Sequence, residues 1–373
     1  MAGTKKAPSP ELWQAGRDGA DTQGMASLEG RLDRYAEARR GTETIIPHIE
    51  GVAQSAKGGS PEAHEARKVA PLLQRCGTRL RFHHYYQRDE LRLVEARSCD
   101  KHLLCPHCAI RRMSRTLSRY MDRFDQVAEG RDVWLLTVTV RNGEDLAERF
   151  GHLRDSWKRW TQKRRNALKG RGASELADLE GAVYSYEFTN RGNGWHPHLH
   201  ALVLTEKGCA PSQDVLRAEW EAITGDSFMV DLRPVEKPED GFLEVLKYAL
   251  KFADLTPAQT WEAHMTLKGK RLLGAWGCFY GVPEPETADE DPLEDEPYLE
   301  LVYRWAHGAG YQLEGWEYHD APAEPLSAPV RRPVSCRLLR SSAPSHAYPR
   351  WTPPPEPGQE ERRGPASTAS GPE

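Results

Sequence analysis

Gly194 to Leu204 reads GWHPHLHALVL, which sets His196, His198 and His200 at alternate positions ahead of an apolar run. In a strand, residues two apart share a face, so these three imidazoles point the same way. Pro197 offers no ladder hydrogen bond, which puts His196 at the mouth of the strand and leaves His198 and His200 as the firm pair. Polar groups beside buried Leu and Val are costly unless they have partners, so a chance run of His on a solvated face is the weaker reading. Two imidazoles a few ångströms apart suit a divalent ion, and an open catalytic metal site takes a third protein ligand. Glu187 is the first choice. If residues 191–194 form a four-residue turn, it lies opposite His198 on the partner strand. A one-residue slip would send it to the other face, and His196 is then the alternative ligand.

A second constellation follows in PEDGFLEVLKYALKFADL, Pro238 to Leu255. At helical spacing Phe242, Leu246, Ala249, Leu250 and Ala253 make one apolar stripe. Glu244, Lys247, Tyr248 and Lys251 fall on the opposite side, with Glu244 and Tyr248 one turn apart. A phenol becomes a nucleophile when its oxyanion is stabilised, and nearby Lys does that. The same Lys groups can hold a phosphate. Taken alone this is an ordinary solvated helix face; the histidine strand upstream gives it another meaning.

The third constellation is cysteine. Cys105-Pro-His-Cys108 is a C-x₂-C knuckle, and Cys99 and Cys76 upstream complete four thiolates for a structural zinc site. His102 is a possible substitute for one of them, and reduced thiols in a helix-rich segment are the plain alternative. Seven Cys in a chain with no export signal argue against a disulfide framework. IRRMSRTLSR follows the knuckle directly, a basic helix with Arg111, Arg112 and Arg115 that could lie along phosphates.

The elements that must position these groups can be read in order. Val133–Val140 is a β-branched strand, and a long helix runs from Glu144 to about Lys169. Gly181–Thr189 and Trp195–Leu204 form a hairpin around NRGNG. A helix capped by Ser212 follows, then a strand at FMVDLRPV, then the helix from Glu239 to Leu255, with further helix to about Phe279. The fold class is α+β: a split β-α-β-β-α-β antiparallel sheet with helices on one face, preceded by a Cys-rich helical segment. Such a sheet leaves the middle hairpin free to present its other face to a ligand.

Around that core the expected organisation is a mostly flexible region over 1–70, with a short helix in SLEGRLDRYAEARR. A Cys-rich, basic DNA-contacting segment follows over 71–130, then the catalytic domain over 131–282. An acidic linker over 283–300, a small aromatic segment over 301–320 and a Pro-rich disordered tail over 321–373 complete the chain. The 373 residues are 38 % hydrophobic with a mean hydropathy of −0.71, so the core has to be concentrated in one region. No apolar run approaches a membrane span and the N-terminus has no signal-like segment, so a cytoplasmic protein without a membrane partner is expected. The net charge of −4 hides an uneven distribution. Cys76 to Arg171 is rich in Arg and Lys, Glu284 to Glu300 is acidic, and the basic half points to a polyanionic ligand.

LLTVTV, WHPHLHALV and EVLKYALKF, in that order and at these separations, resemble the three motifs of rolling-circle plasmid replication initiators of the HUH endonuclease superfamily. His198-Leu199-His200 matches the two His flanking a hydrophobic residue, and Tyr248 with Lys251 matches the Tyr-x-x-Lys motif. Glu244 matches the single-tyrosine branch, which carries a glutamate one turn before the tyrosine. The resemblance spans roughly Cys76 to Phe279, and related initiators often carry a Cys cluster before their first motif. It implies nicking of one strand of single-stranded or hairpin origin DNA by Tyr248, with a 5′-phosphotyrosyl link and a free 3′-hydroxyl primer. It implies Mg²⁺ or Mn²⁺ on His198, His200 and Glu187, with Glu244 activating water at termination. Plasmid origin DNA, a host helicase and the replicative polymerase are the implied partners. An HUH-type transposase is the nearest alternative, although the two-tyrosine type would need Tyr at position 244. A histidine-triad nucleotide hydrolase fits the His run alone and leaves Tyr248 and the cysteines without a role.

Overall fold

The computed structural model describes residues 27–55, 59–246, 252–283, 289–290, 292–293 and 296–319. Helices α1 (Leu28–Ser55) and α2 (Pro61–Arg75) come first, followed by the hairpin β1 (Arg79–Tyr85) and β2 (Glu90–Ala96). Then come α3 (Pro106–Val127), β3 (Arg131–Thr139), α4 (Leu146–Ala167), β4 (Leu179–Asn190), β5 (Trp195–Glu206), α5 (Gln213–Thr224) and β6 (Val230–Pro234). The order closes with α6 (Pro238–Leu246), α7 (Pro257–Leu267), β7 (Leu273–Gly277), β8 (Tyr298–Ala306) and β9 (Gly310–His319). No helix among the described residues is long and apolar enough to cross a membrane.

The expected split arrangement is present as the antiparallel sheet β6-β3-β5-β4-β7, extended by one edge strand. Its two crossover helices pack on one face. α4 is capped by Asp145, whose side chain accepts from the Ala147 and Glu148 amides, and α5 by Ser212, which accepts from Val215. The apolar spacing seen in the sequence is buried as expected: Phe150, Leu153, Trp157 and Trp160 of α4 join Leu199, Ala201 and Val203 of β5. The alternate residues of β5, Leu202 and Leu204, face the other way and pack with Phe242, Val245 and Leu246 of α6 and with Tyr120 and Phe124 of α3. Helices therefore also cover part of the second face, beyond the end that carries His198 and His200.

A second antiparallel sheet, β2-β1-β8-β9, joins a hairpin near residue 85 to one near residue 308. The expected aromatic segment over 301–320 is its outer half. The expected acidic linker is partly docked: Glu290 pairs with Arg31 at 2.5 Å and accepts the Leu93 amide at 2.8 Å, and Glu296 pairs with Arg88 at 2.6 Å. Residues 1–70 are not mostly flexible where described, since α1 alone runs for 28 residues. Its buried Tyr35, Ala38, Thr42, Ile45 and Ile49 recur every three or four positions. Small and polar members disguise that stripe in the sequence, yet α2 packs on it through Ala66, Val69 and Leu73. Instead of continuing as helix to Phe279, the chain leaves α7 at Leu267 and forms β7 on the free edge of β4. Gly274 and Gly277 disfavour a helix there. Residues 321–373, expected as a Pro-rich tail, lie outside the described residues.

Candidate active site

The turn between β4 and β5 spans residues 191–194, four residues as expected, and it sets the register. Gly194 takes φ +79°, and a Cβ there would fall 2.8 Å from the Gly143 carbonyl oxygen, so only glycine lets the loop before α4 close over the turn. From that turn Glu187 pairs with His198, Ser185 with His200, and Thr137 of β3 with His200 from the other side. Glu187, His198 and His200 thus share one face of the two central strands. All three are buried, with Glu187 only 2 % exposed.

His198 Nε2 lies 3.2 Å from Glu187 Oε1, and His200 Nε2 lies 3.3 Å from Glu187 Oε2. One donor atom from each residue falls within 4.8 Å of the others. The opposite ring nitrogens are held by the fold. His198 Nδ1 is 3.3 Å from the His196 carbonyl, and His200 Nδ1 is 3.0 Å from Thr137 Oγ1. A carbonyl can only accept, so His198 Nδ1 carries a proton. The neutral ring then turns a bare Nε2 lone pair toward a carboxylate oxygen. Two acceptors face each other, and a cation between them, or a second proton on the ring, resolves the repulsion. Held imidazoles plus a carboxylate, with Nε2 turned inward, form a donor set that fits a divalent ion.

Of the two alternatives for a third ligand, Glu187 stands in this cluster. His196 is turned to Asn142, with Nδ1 2.5 Å from Oδ1, and its ring centroid is 5.3 Å from that of His198. Glu244 enters from α6, with Oε1 4.0 Å from His200 Nε2. The end of α6 is fixed to the same strands by a hydrogen bond from Ser185 Oγ to the Val245 carbonyl. Lys247, Tyr248 and Lys251 lie outside the described residues.

The four cysteines converge from three places: the end of α2 (Cys76), the loop after β2 (Cys99) and the start of α3 (Cys105 and Cys108). Cys76 Sγ lies 3.5 Å from Cys105 Sγ and 3.4 Å from Cys108 Sγ, and Cys99 Sγ lies 3.5 Å from Cys108 Sγ. All four are buried. Hydrogen bonds from the Cys105, Cys76 and Cys99 thiols push the Cys108 thiol far down, while the same contacts raise Cys76 and Cys99. Cys108 stands in the first turn of α3, where the helix dipole favours negative charge. Four converging thiols fit a tetrahedral ion. His102 is not part of the group.

Several supporting residues carry no signal in the sequence. Arg39, 5 % exposed, donates to the carbonyls of Leu73, Gln74 and Cys76 and so ties the end of α2 beside the first thiol. Gly77, at φ +67°, leaves room for the His107 ring. Thr137 was legible only as a strand residue, and its role follows from the register. Arg111, expected among the phosphate contacts, is 1 % exposed, and its guanidinium pairs with the partly exposed Asp289. Arg112 and Arg115 are half-buried on the same helix.

A family model described as "Replication protein" matches residues 90–300, more than half of the chain. A curated relative, "Protein rep" from Bacillus sp, is 26 % identical over 191 residues, which cover 49 % of this chain and 57 % of that protein. The chain thus spans a little over half the length of that relative. No solved structure matches.

Proposed function

Because the chain belongs to this replication protein family, we propose that it is a plasmid replication initiator that nicks one strand of origin DNA through a covalent tyrosyl intermediate and so primes rolling-circle replication. The observation that carries the reading is the buried trio of Glu187, His198 and His200, with Glu244 at its edge. Val245, three residues before Tyr248 in the chain, is bonded to Ser185, and Ser185 pairs with His200. The helix that leads to the tyrosine is therefore tied to the strands that hold the trio.

Mg²⁺ or Mn²⁺ held by Glu187, His198 and His200 would polarise the scissile phosphate. The Tyr248 oxygen attacks phosphorus and gives up its proton. The bond from phosphorus to the 3′ oxygen breaks, and that oxygen takes a proton and leaves as the 3′-hydroxyl. The 5′ phosphate stays on Tyr248 as a diester, so the energy of the broken bond is kept for rejoining. Lys247 and Lys251 hold the phosphate beside the phenol, and Arg112 and Arg115 contact flanking phosphates. Glu244 serves as base for water at termination, which lets one tyrosine suffice. The four cysteines hold Zn²⁺ as a structural ion. A host helicase then unwinds the duplex while the polymerase extends the primer, in the cytoplasm.

The test is cleavage of labelled single-stranded origin DNA with Mn²⁺. The wild-type chain should form an adduct that survives denaturing electrophoresis, and Tyr248→Phe should form none while DNA binding persists. An adduct with the Phe variant would assign the nucleophile elsewhere; Tyr184 and Tyr186 of β4 are poor substitutes, since they pack against α4 on the face of the sheet opposite the trio.

A further inference from the structure

Helix α4 turns its apolar side to the sheet and leaves its outer side beside a cleft of about 670 Å³. Lys158, Arg159, Lys163, Arg165 and Arg171 line it, with Asp155 the one carboxylate among the described lining residues. Asp155 pairs with Arg154 at 2.9 Å, and Lys163 pairs with Glu219 at 2.8 Å. Arg159 donates to the Ile223 carbonyl at 2.8 Å, and Arg165 to the Gln162 amide oxygen at 2.6 Å. Lys158, Arg165 and Arg171 are exposed and form no ion pair among the described residues. The cleft is therefore a net cationic surface with its own acid already neutralised.

Two plainer accounts fall short. Cations gather at helix C-termini to offset the dipole, and Arg164 and Arg165 stand in the last turn of α4. Lys158, however, lies more than two turns before the end of α4, and Arg171 lies beyond it. A solvated helix face would mix both signs evenly, whereas here Asp155 stands against five cations among the described lining residues.

We propose that this cleft binds the phosphate backbone of duplex DNA, at a site separate from the cleavage centre. Leu199, Ala201 and Val203 pack toward α4, while His198 and His200 alternate with them and face away. The cleft and the Glu187 trio thus lie on opposite sides of one sheet. DNA held on α4 is a different stretch from the strand being cut. No aromatic side chain among the described residues lines the cleft, and single strands without sequence preference are held largely by stacking. A row of cations along a helix suits a regular backbone instead. Lys158 to Arg165 spans about 10 Å of helix, the reach of roughly three successive phosphates on one strand. Only the choice of DNA as the polyanion rests on the replication reading.

The experiment uses the full chain and a mixed-sequence duplex of about 30 base pairs carrying no origin, so nicking plays no part. Affinity is measured by anisotropy across a range of salt for the wild type and for the triple variant Lys158→Gln, Arg165→Gln, Arg171→Gln. The variant should bind at least tenfold more weakly, and the slope of log affinity against log salt should fall by about 2 to 3, near 0.9 for each lost phosphate contact. An unchanged melting temperature would show that the fold is intact, as expected for exposed side chains. Lys158→Gln alone should lower the slope by about 1 and covers the case in which the triple variant fails to fold. Duplex affinity and slope equal to wild type would overturn the proposal. Loss confined to a single strand of the same length would overturn it too, since the cleft would then serve the cleaved strand. An inactive nuclease with normal duplex binding would break the nicking reading and leave this one standing.

Discussion

The thiol cluster around Cys105 and the carboxylate–imidazole trio around His200 are both buried groups of donors, yet the fold gives them opposite forms. The thiols come from a helix end, a loop and a helix start, and they close around one point with four donors of one kind. Glu187, His198 and His200 come from two neighbouring strands and set three donors of two kinds on one face. A closed tetrahedral set ties chain segments together, whereas an open mixed set polarises something that arrives from outside. Removal of a ligand should therefore cost stability in the first case and activity in the second.

The largest effect is expected at the thiols. Cys105→Ser opens a site whose ion can contribute on the order of 10 kcal/mol to folding in small domains. Wild-type protein purified without chelator should carry one zinc per chain, and the variant should lose it. The variant should also melt at lower temperature, with new protease cuts between residues 61 and 127. A zinc-free wild type that melts normally would reduce this cluster to packed thiols and end the comparison.

His200→Ala should show the reverse. Cleavage of single-stranded origin DNA should fall by ~10² or more, as for loss of a polarising ion, while zinc content and melting temperature stay near wild type. If His200→Ala unfolds the chain, the trio is a structural element and the contrast fails.

The sequence carried the two clusters unequally. The register of Glu187 on His198 was legible because turn length and strand period are local and leave few choices. The same locality made α4, α5 and the Ser212 cap readable. The convergence of Cys76 and Cys99 on the knuckle could be guessed from composition, but the tie that places Cys76 comes from Arg39, more than thirty residues away. The second sheet was not legible, since β1 meets β8 across more than two hundred residues and nothing in either segment names its partner. Arg111 shows the same limit from the other side. A basic helix looks like a phosphate binder until its acid, Asp289, arrives from a distant segment. Non-local pairing is what periodicity cannot express.

Thr137→Val sharpens the contrast with a smaller change. The Thr137 hydroxyl lies 3.0 Å from His200 Nδ1 and orients the ring. Loss of such a partner commonly lowers metal affinity by about 10- to 100-fold. A higher Mn²⁺ concentration should be needed for half-maximal cleavage, with the rate at saturating Mn²⁺ largely recovered. An unchanged Mn²⁺ requirement would mean that Thr137 only fills space.

Acid should disturb both clusters at once, because thiolates and imidazoles lose their metal-binding form as they protonate, so the comparison at low pH needs a metal-free contribution subtracted. His83 supplies one. On β1 its ring stacks on Tyr298, with centroids 3.8 Å apart, and Tyr298 stacks in turn on His319 at 4.6 Å. Its Nδ1 lies 3.3 Å from the Tyr85 hydroxyl and its Nε2 3.6 Å from Glu300. Burial, with His319 and Arg81 nearby, lowers its pKa from 6.5 to about 4. The ring stays neutral in the folded sheet while the unfolded chain begins to protonate near 6.5. The contribution is thus fully present above that value and is lost progressively as pH falls toward 4. His83→Phe keeps a stacking ring and removes the titration. Between pH ~7.5 and ~5, both inside or above this window, the variant should lose less melting temperature than the wild type, and zinc content should fall equally in both. Equal losses of melting temperature would mean that Glu300 holds the folded His83 proton as firmly as water holds the unfolded one, and the whole acid sensitivity would then belong to the two clusters.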